Sequence, residues 1–163
     1  MTMSEKEMFL NTWEREFQTT LKLLKAYPAN KLDYRPHEKS RSARELAWVF
    51  RSEQDLVDMA AKGKIEFGPT PPAPNTMDEI LASYQSLTRV NMEKVKTMSE
   101  ADYNSEVGFP TGPGKMGQFR KADVLWMTLM DAVHHRGQMS VYVRLAGGKV
   151  PSIYGPTADE PWM

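Results

Sequence analysis

Apolar residues recur at three- and four-residue intervals in four separate stretches of this chain. Leu10, Trp13, Phe17, Leu21 and Leu24 share one face of a helix, which Pro28 closes just after Tyr27. Ser42 with Glu45 three residues on matches a capping box. It opens a second helix that runs through Leu46, Val49, Phe50, Val57 and Ala60 to about Gly63. Thr76 and Glu79 repeat the box before a third helix marked by Ile80, Tyr84, Leu87, Asn91 and Val95. The fourth runs from about Lys121 to Ala146, where Gly147 and Gly148 supply the stop.

Prolines gather between these stretches. GPTPPAPN cannot be helical and reads as a stiff connection. Residues 99–118, with PTGPG at their centre, read as a long irregular loop, placed to serve as a lid over a pocket. Beyond Pro151 the tail reads as extended, with Ile153 and Tyr154 packing back on the body. Strand-type alternation is nearly absent. The pattern therefore predicts an all-α fold: one four-helix-bundle domain over residues 1–163.

Charge and composition narrow the function classes. Lys plus Arg number 21 and Asp plus Glu 21, so the net charge is zero. With no long basic run, there is no electrostatic footprint for nucleic acid or an anionic membrane. Cysteine is absent, which removes disulfides, thiolate nucleophiles and Cys-ligated zinc. The first residues mix charges into apolar positions, unlike a signal peptide, and no apolar run approaches the roughly 20 residues of a membrane span. The expectation is a cytoplasmic protein.

Candidate chemistry gathers on the fourth helix. At 100° per residue Asp131, His135, Gln138 and Tyr142 share a narrow stripe, an acid, an imidazole and an amide in line, which predicts a polar pocket inside the bundle. Trp126, Leu129 and Val133 make the opposite face apolar too, as expected of a central helix or one in a dimer interface. Gly137 costs about 1 kcal/mol against alanine within a helix, and close approach of another helix would explain it. On the second helix Glu53, one turn beyond Val49, is the carboxylate best placed to face the pair, and Asn91 on the third helix is a further candidate. Plain readings stand beside these. Asp131 and His135 at i, i+4 form at least an ion pair, worth about 0.2–0.5 kcal/mol if exposed. Glu53 reads equally as a solvated charge, Tyr142 and Trp48 as core, His134 as a surface or interface residue, and His37 as an incidental loop residue.

HHRGQ, followed by SVYVRLAG and PSIYGPTADE and preceded by ELAW at Glu45–Trp48, resembles the DinB/YfiT-like superfamily of metalloenzymes. The landmarks span residues 40 to 160. The resemblance implies a bundle, commonly dimeric, holding a divalent metal on three histidines, with relatives that include thiol-dependent S-transferases and a maleylpyruvate isomerase. Carried onto this chain, the second-helix ligand position holds Val49, the first fourth-helix position holds Asp131, and His135 alone keeps its imidazole. Two arrangements follow. In one, Asp131 is paired with protonated His135 and Gln138 in a metal-free pocket, homodimeric, that binds a small molecule or a protein partner. In the alternative, Asp131, His135 and Glu53 hold one divalent ion, zinc, nickel or manganese, for a transferase, isomerase or hydrolase that uses water or a thiol.

Overall fold

The computed structural model describes residues 2–162. Helix α1 spans Glu5–Lys25, α2 Ala43–Lys62, α3 Met77–Thr97 and α5 Lys121–Leu145, with a single-turn helix α4 at Glu100–Tyr103 and a 3-10 turn at Ala29–Lys31. Complete capping boxes start three of the long helices: Ser4 with Glu7, Ser42 with Glu45, and Thr76 with Glu79. Gly63 ends α2 with φ 77° and Gly147 follows α5 with φ 84°, backbone angles that side chains beyond glycine rarely adopt.

Helix α5 packs between α1 and α2, and α3 packs on both from the other side, so α1 and α2 lie diagonally across the bundle. The core takes the predicted faces of the first three helices, with Trp13, Phe17, Leu46, Phe50 and Ile80, and also Phe9. On α5 it takes Leu125 and Met139, which the predicted stripe did not include, while Gln138 of that stripe and Leu145 in line with it are exposed. Asn91 is fully buried there and donates Nδ2 to the Gln54 carbonyl oxygen at 2.7 Å, tying α3 to α2.

The segment 99–118 corrects the expectation of an irregular loop. After α4 it forms an antiparallel hairpin, β1 at Glu106–Gly112 and β2 at Lys115–Arg120, with Val107 opposite Phe119 and Phe109 opposite Gly117. Glycines and prolines interrupt the apolar alternation, which hid the strands. Val107 nonetheless buries against Ala60, Ile65 and Val124 in a small second cluster. That cluster lies about 10 Å along α2 from Glu53 and about 16 Å along α5 from His135 at 1.5 Å per residue, so the hairpin caps one end of the bundle. The tail lacks regular structure and returns to the body as expected: Ile153 packs on the core, and the Tyr154 hydroxyl donates to Glu16 Oε2 at 2.6 Å. No helix among the described residues is long and apolar enough to cross a membrane.

Candidate functional site

On α2 the buried face runs Leu46, Phe50, Glu53, Val57 and Ala60, so Glu53 occupies a core register position and its apolar neighbours carry the carboxylate inward. His135 reaches it from α5. His135 Nδ1 and Glu53 Oε1 lie 2.9 Å apart, both residues are buried, and one proton sits between them. The second oxygen, Glu53 Oε2, is buried without any hydrogen-bond partner. Asp131 Oδ1 lies 3.7 Å from the same His135 nitrogen, at the mouth of the site, with a side chain 54% exposed. One ligand atom from each of Glu53, Asp131 and His135 falls within 4.8 Å of the other two.

This geometry revises the roles predicted for the stripe on α5. The partner of His135 is Glu53, and Asp131 is half-solvated instead of buried. Gln138 is exposed and binds His134 at 2.8 Å, so it takes no part in the pair. Asn91 Nδ2 donates to the Gln54 carbonyl oxygen, one residue from Glu53, and its Oδ1 is buried without a partner. Tyr142 is buried and donates its hydroxyl to the Arg41 carbonyl oxygen at 2.9 Å. Trp48 is core and donates Nε1 to the Pro71 carbonyl oxygen. His134 lies at the surface, and His37 accepts from its neighbour Lys39 in a loop.

Burial dominates the electrostatics of Glu53 and pushes its carboxyl up to about 7, against the hydrogen bond and charge of His135; Asp131 adds to the rise and Arg41 opposes it. The His135 imidazole is held above its ordinary 6.5, first by the hydrogen bond to Glu53, with burial opposing. Both groups therefore keep protons longer than free side chains do, and they titrate as a pair.

A groove of about 700 Å³ runs between the N-terminal half of α2 and the proline connection, lined by Arg41, Ser42, Trp48, Val49, Ser52 and Pro71, with Glu53, Asp131 and His135 outside its lining. Val49 is half-buried in its wall, one turn from Glu53.

The family model described as the DinB family matches residues 1–162. The chain belongs to the DinB family. An uncharacterized Bacillus subtilis protein, YrdA, is 27% identical to it over 161 residues, covering 93% of this chain and 89% of that one. A DinB-like protein from Bacillus cereus superposes with a TM-score of 0.76 at 23% identity over 90% of this chain and 95% of the other. Another, from Bacillus subtilis, gives 0.72 at 18% over 96% and 99%. These two share the fold.

Within the DinB family frame, two of the three histidines that the resemblance implies are absent, and the carboxylates of Glu53 and Asp131 stand beside His135. Sequence reasoning passed over Arg41 and the pair Glu16–Arg136. Arg41 gives no periodic signal because it precedes the α2 cap, and a buried arginine in an amphipathic helix reads as a surface charge until its neighbours are known.

Proposed function

We propose that Glu53, Asp131 and His135 hold one divalent cation and that this DinB-family protein acts on a small molecule in the adjoining groove, as a transferase, isomerase or hydrolase. The observation that carries this is the buried, unpartnered Glu53 Oε2. A buried carboxylate oxygen without a donor is costly, and a cation beside it removes that cost. The donor set suits the group: two carboxylates and one imidazole satisfy zinc, nickel or manganese, and favour harder ions more than three imidazoles would. A bound ion of this kind acts as a Lewis acid and lowers the pKa of a coordinated water or thiol. Of the chain's own groups, Glu53 would give up its proton on loading, and Asp131, at the solvent-facing side, would keep the mouth of the site negative.

The metal-free arrangement rested on a buried Asp131 that needs His135, and Asp131 is exposed. A metal-free site retains one specific support, the direct 2.9 Å contact between His135 and Glu53, which needs no ion to satisfy either atom. Elemental analysis of untagged protein, before and after incubation with zinc, nickel and manganese, separates the two. Near one equivalent, lost in His135→Ala and Glu53→Gln, is the expected result. No metal under any condition overturns the cation site and leaves a proton-sharing pair in a ligand pocket.

The proposed assembly is a homodimer through the outer face of α5. Met127, Met130, Val141 and Leu145 are exposed along one line, and among the described residues nothing beyond the helix's own nearby backbone lies within 4 Å of a Cβ placed at Gly137. Light scattering should give twice the chain mass, and Val141→Glu should halve it; a monomeric parent protein rules the dimer out.

A further inference from the structure

The arginines of this chain divide unevenly. Eight of the nine pair with a carboxylate: Arg15, Arg35, Arg44, Arg51, Arg89, Arg120, Arg136 and Arg144. Arg41 pairs with none among the described residues, although it lines the groove together with Asp33 and Glu45. Those two acids are engaged, Asp33 by Arg44 at 2.6 Å and Glu45 by Arg35 at 3.0 Å. Each pair cancels its own charge, so the groove carries the net positive charge of Arg41. The backbone holds this residue in place: its carbonyl oxygen takes the Tyr142 hydroxyl, and the next residue is the Ser42 cap of α2.

The groove has two defined walls as well as a charge. One wall is the proline connection, fixed by the Trp48 to Pro71 hydrogen bond. The other is α2, from Ser42 past Val49 to Ser52, which directly precedes Glu53. Arg41 is tied through its carbonyl to Tyr142, two turns along α5 from His135, and Val49 in the groove wall stands one turn along α2 from Glu53. Its volume of about 700 Å³ falls in the range of small-molecule sites, roughly 300–1,000 Å³.

Resting on the cation site proposed above, we propose that Arg41 binds the oxyanion group of the substrate, a carboxylate or a phosphate, and that the rest of the molecule passes Val49 to reach Glu53 and His135. A guanidinium presents a planar fork of donors that matches either oxyanion in a two-bond contact, and an arginine without a carboxylate partner is free to make one. The apolar Val49, in place of a ligand, then borders the path between the anchored end and the reacting end. The expected substrates are small anionic molecules whose reactive carbon lies a few bonds from the charged group.

Calorimetric titration of malonate and of inorganic phosphate, in chloride-free buffer, tests this on the full chain with and without zinc. Saturable binding of at least one of the two is expected, weakened at least tenfold in Arg41→Gln and partly restored in Arg41→Lys. Stronger malonate binding identifies the anion as a carboxylate, and stronger phosphate binding as a phosphate. The His135→Ala variant keeps the failures apart. If it loses metal and keeps anion binding, Arg41 is the anchor whatever becomes of the cation site. If binding vanishes in His135→Ala and is unchanged in Arg41→Gln, the anion sits on the metal and the proposal fails. Absence of saturable binding of either probe to the parent protein also overturns it. Among the described residues the Arg41 side chain makes no hydrogen bond or ion pair and its backbone carbonyl takes the Tyr142 hydroxyl, so circular dichroism of Arg41→Gln should match the parent.

Discussion

His135 and Arg136 are consecutive, each meets a buried glutamate, and the two pairs are built to opposite ends. Successive residues of a helix point 100° apart, so α5, wedged between α1 and α2, sends His135 to Glu53 on one side and Arg136 to Glu16 on the other. The Arg136 pair is closed. Nη2 donates to Glu16 Oε2 at 2.6 Å and to the Tyr154 hydroxyl, Nη1 donates to the Glu16 carbonyl oxygen at 3.1 Å, and Arg15 takes the other Glu16 oxygen. The Tyr154 ring also lies under the guanidinium, 5.0 Å from its carbon, which pins the C-terminal tail to the bundle. The His135 pair is open: one carboxylate oxygen has no partner, an exposed acid stands at its edge, and both members hold their protons unusually long. Saturated hydrogen bonding around a permanent charge fixes a structure. An unsaturated acceptor among titratable groups leaves room for a ligand.

The comparison breaks first, if it is wrong, at Arg136. Arg136→Leu strands Glu16 in the core and should cost about 3–5 kcal/mol in urea unfolding, with release of the tail. Glu53→Gln in the metal-free protein should cost no more than about 1 kcal/mol, because it removes one hydrogen bond and a disfavoured buried charge together. Equal losses in the two variants would erase the distinction.

Acid–base behaviour sharpens it. Glu53 gives up its proton at about 7 when folded and at its ordinary 4.5 when unfolded, so folding takes up a proton between those values. His135, held above 6.5 when folded, contributes stability present below 6.5 and lost as pH rises through its raised value. Both effects have one sign. Metal-free protein should lose on the order of 1–3 kcal/mol as pH climbs from about 4.5 to above 7, and Glu53→Gln should flatten that slope, as melting at a series of pH values will show. Metal loading must displace the same protons, so cation affinity should rise with pH through 7, by up to about tenfold per unit for each proton released. A pH-independent affinity would place the ion elsewhere.

The smallest effect belongs to Asp131. Its side chain is exposed, so Asp131→Asn should leave stability within about 0.5 kcal/mol and still weaken the cation about tenfold if the acid is a ligand. An unchanged affinity would reduce the site to Glu53 and His135.

Particular residues show how far the sequence reading carried. Ser42 with Glu45 and Thr76 with Glu79 marked helix starts because a capping box is a local contact between residues three apart. Glu53 was legible as a carboxylate able to face His135 because each falls on the inward register of its own helix, whereas the direct pairing was read for Asp131, which the structure leaves half-solvated. The hairpin at 106–120 was not, since Gly108, Pro110 and Gly117 blur the alternation that defines a strand, and Val107 becomes a core residue only once Ala60 and Val124 are beside it. Gln138 was misplaced for a related reason: helical angle alone assigned it to the pocket stripe, and it found a nearer partner one turn back in His134.

Local periodicity and capping by themselves determined the four long helices, the starts of α2 and α3, the ends of α2 and α5, and the presence of acid and imidazole groups on inward registers, because those are relations between residues a turn apart. Which glutamate each cationic residue of α5 meets, why one pair is sealed and the other left with a bare oxygen, and why Arg41 alone among the arginines carries an unspent charge were decided by the tertiary structure. Those outcomes depend on helix rotation and on the placing of the proline connection and the C-terminal tail, set by contacts between residues distant in the chain that no local pattern records.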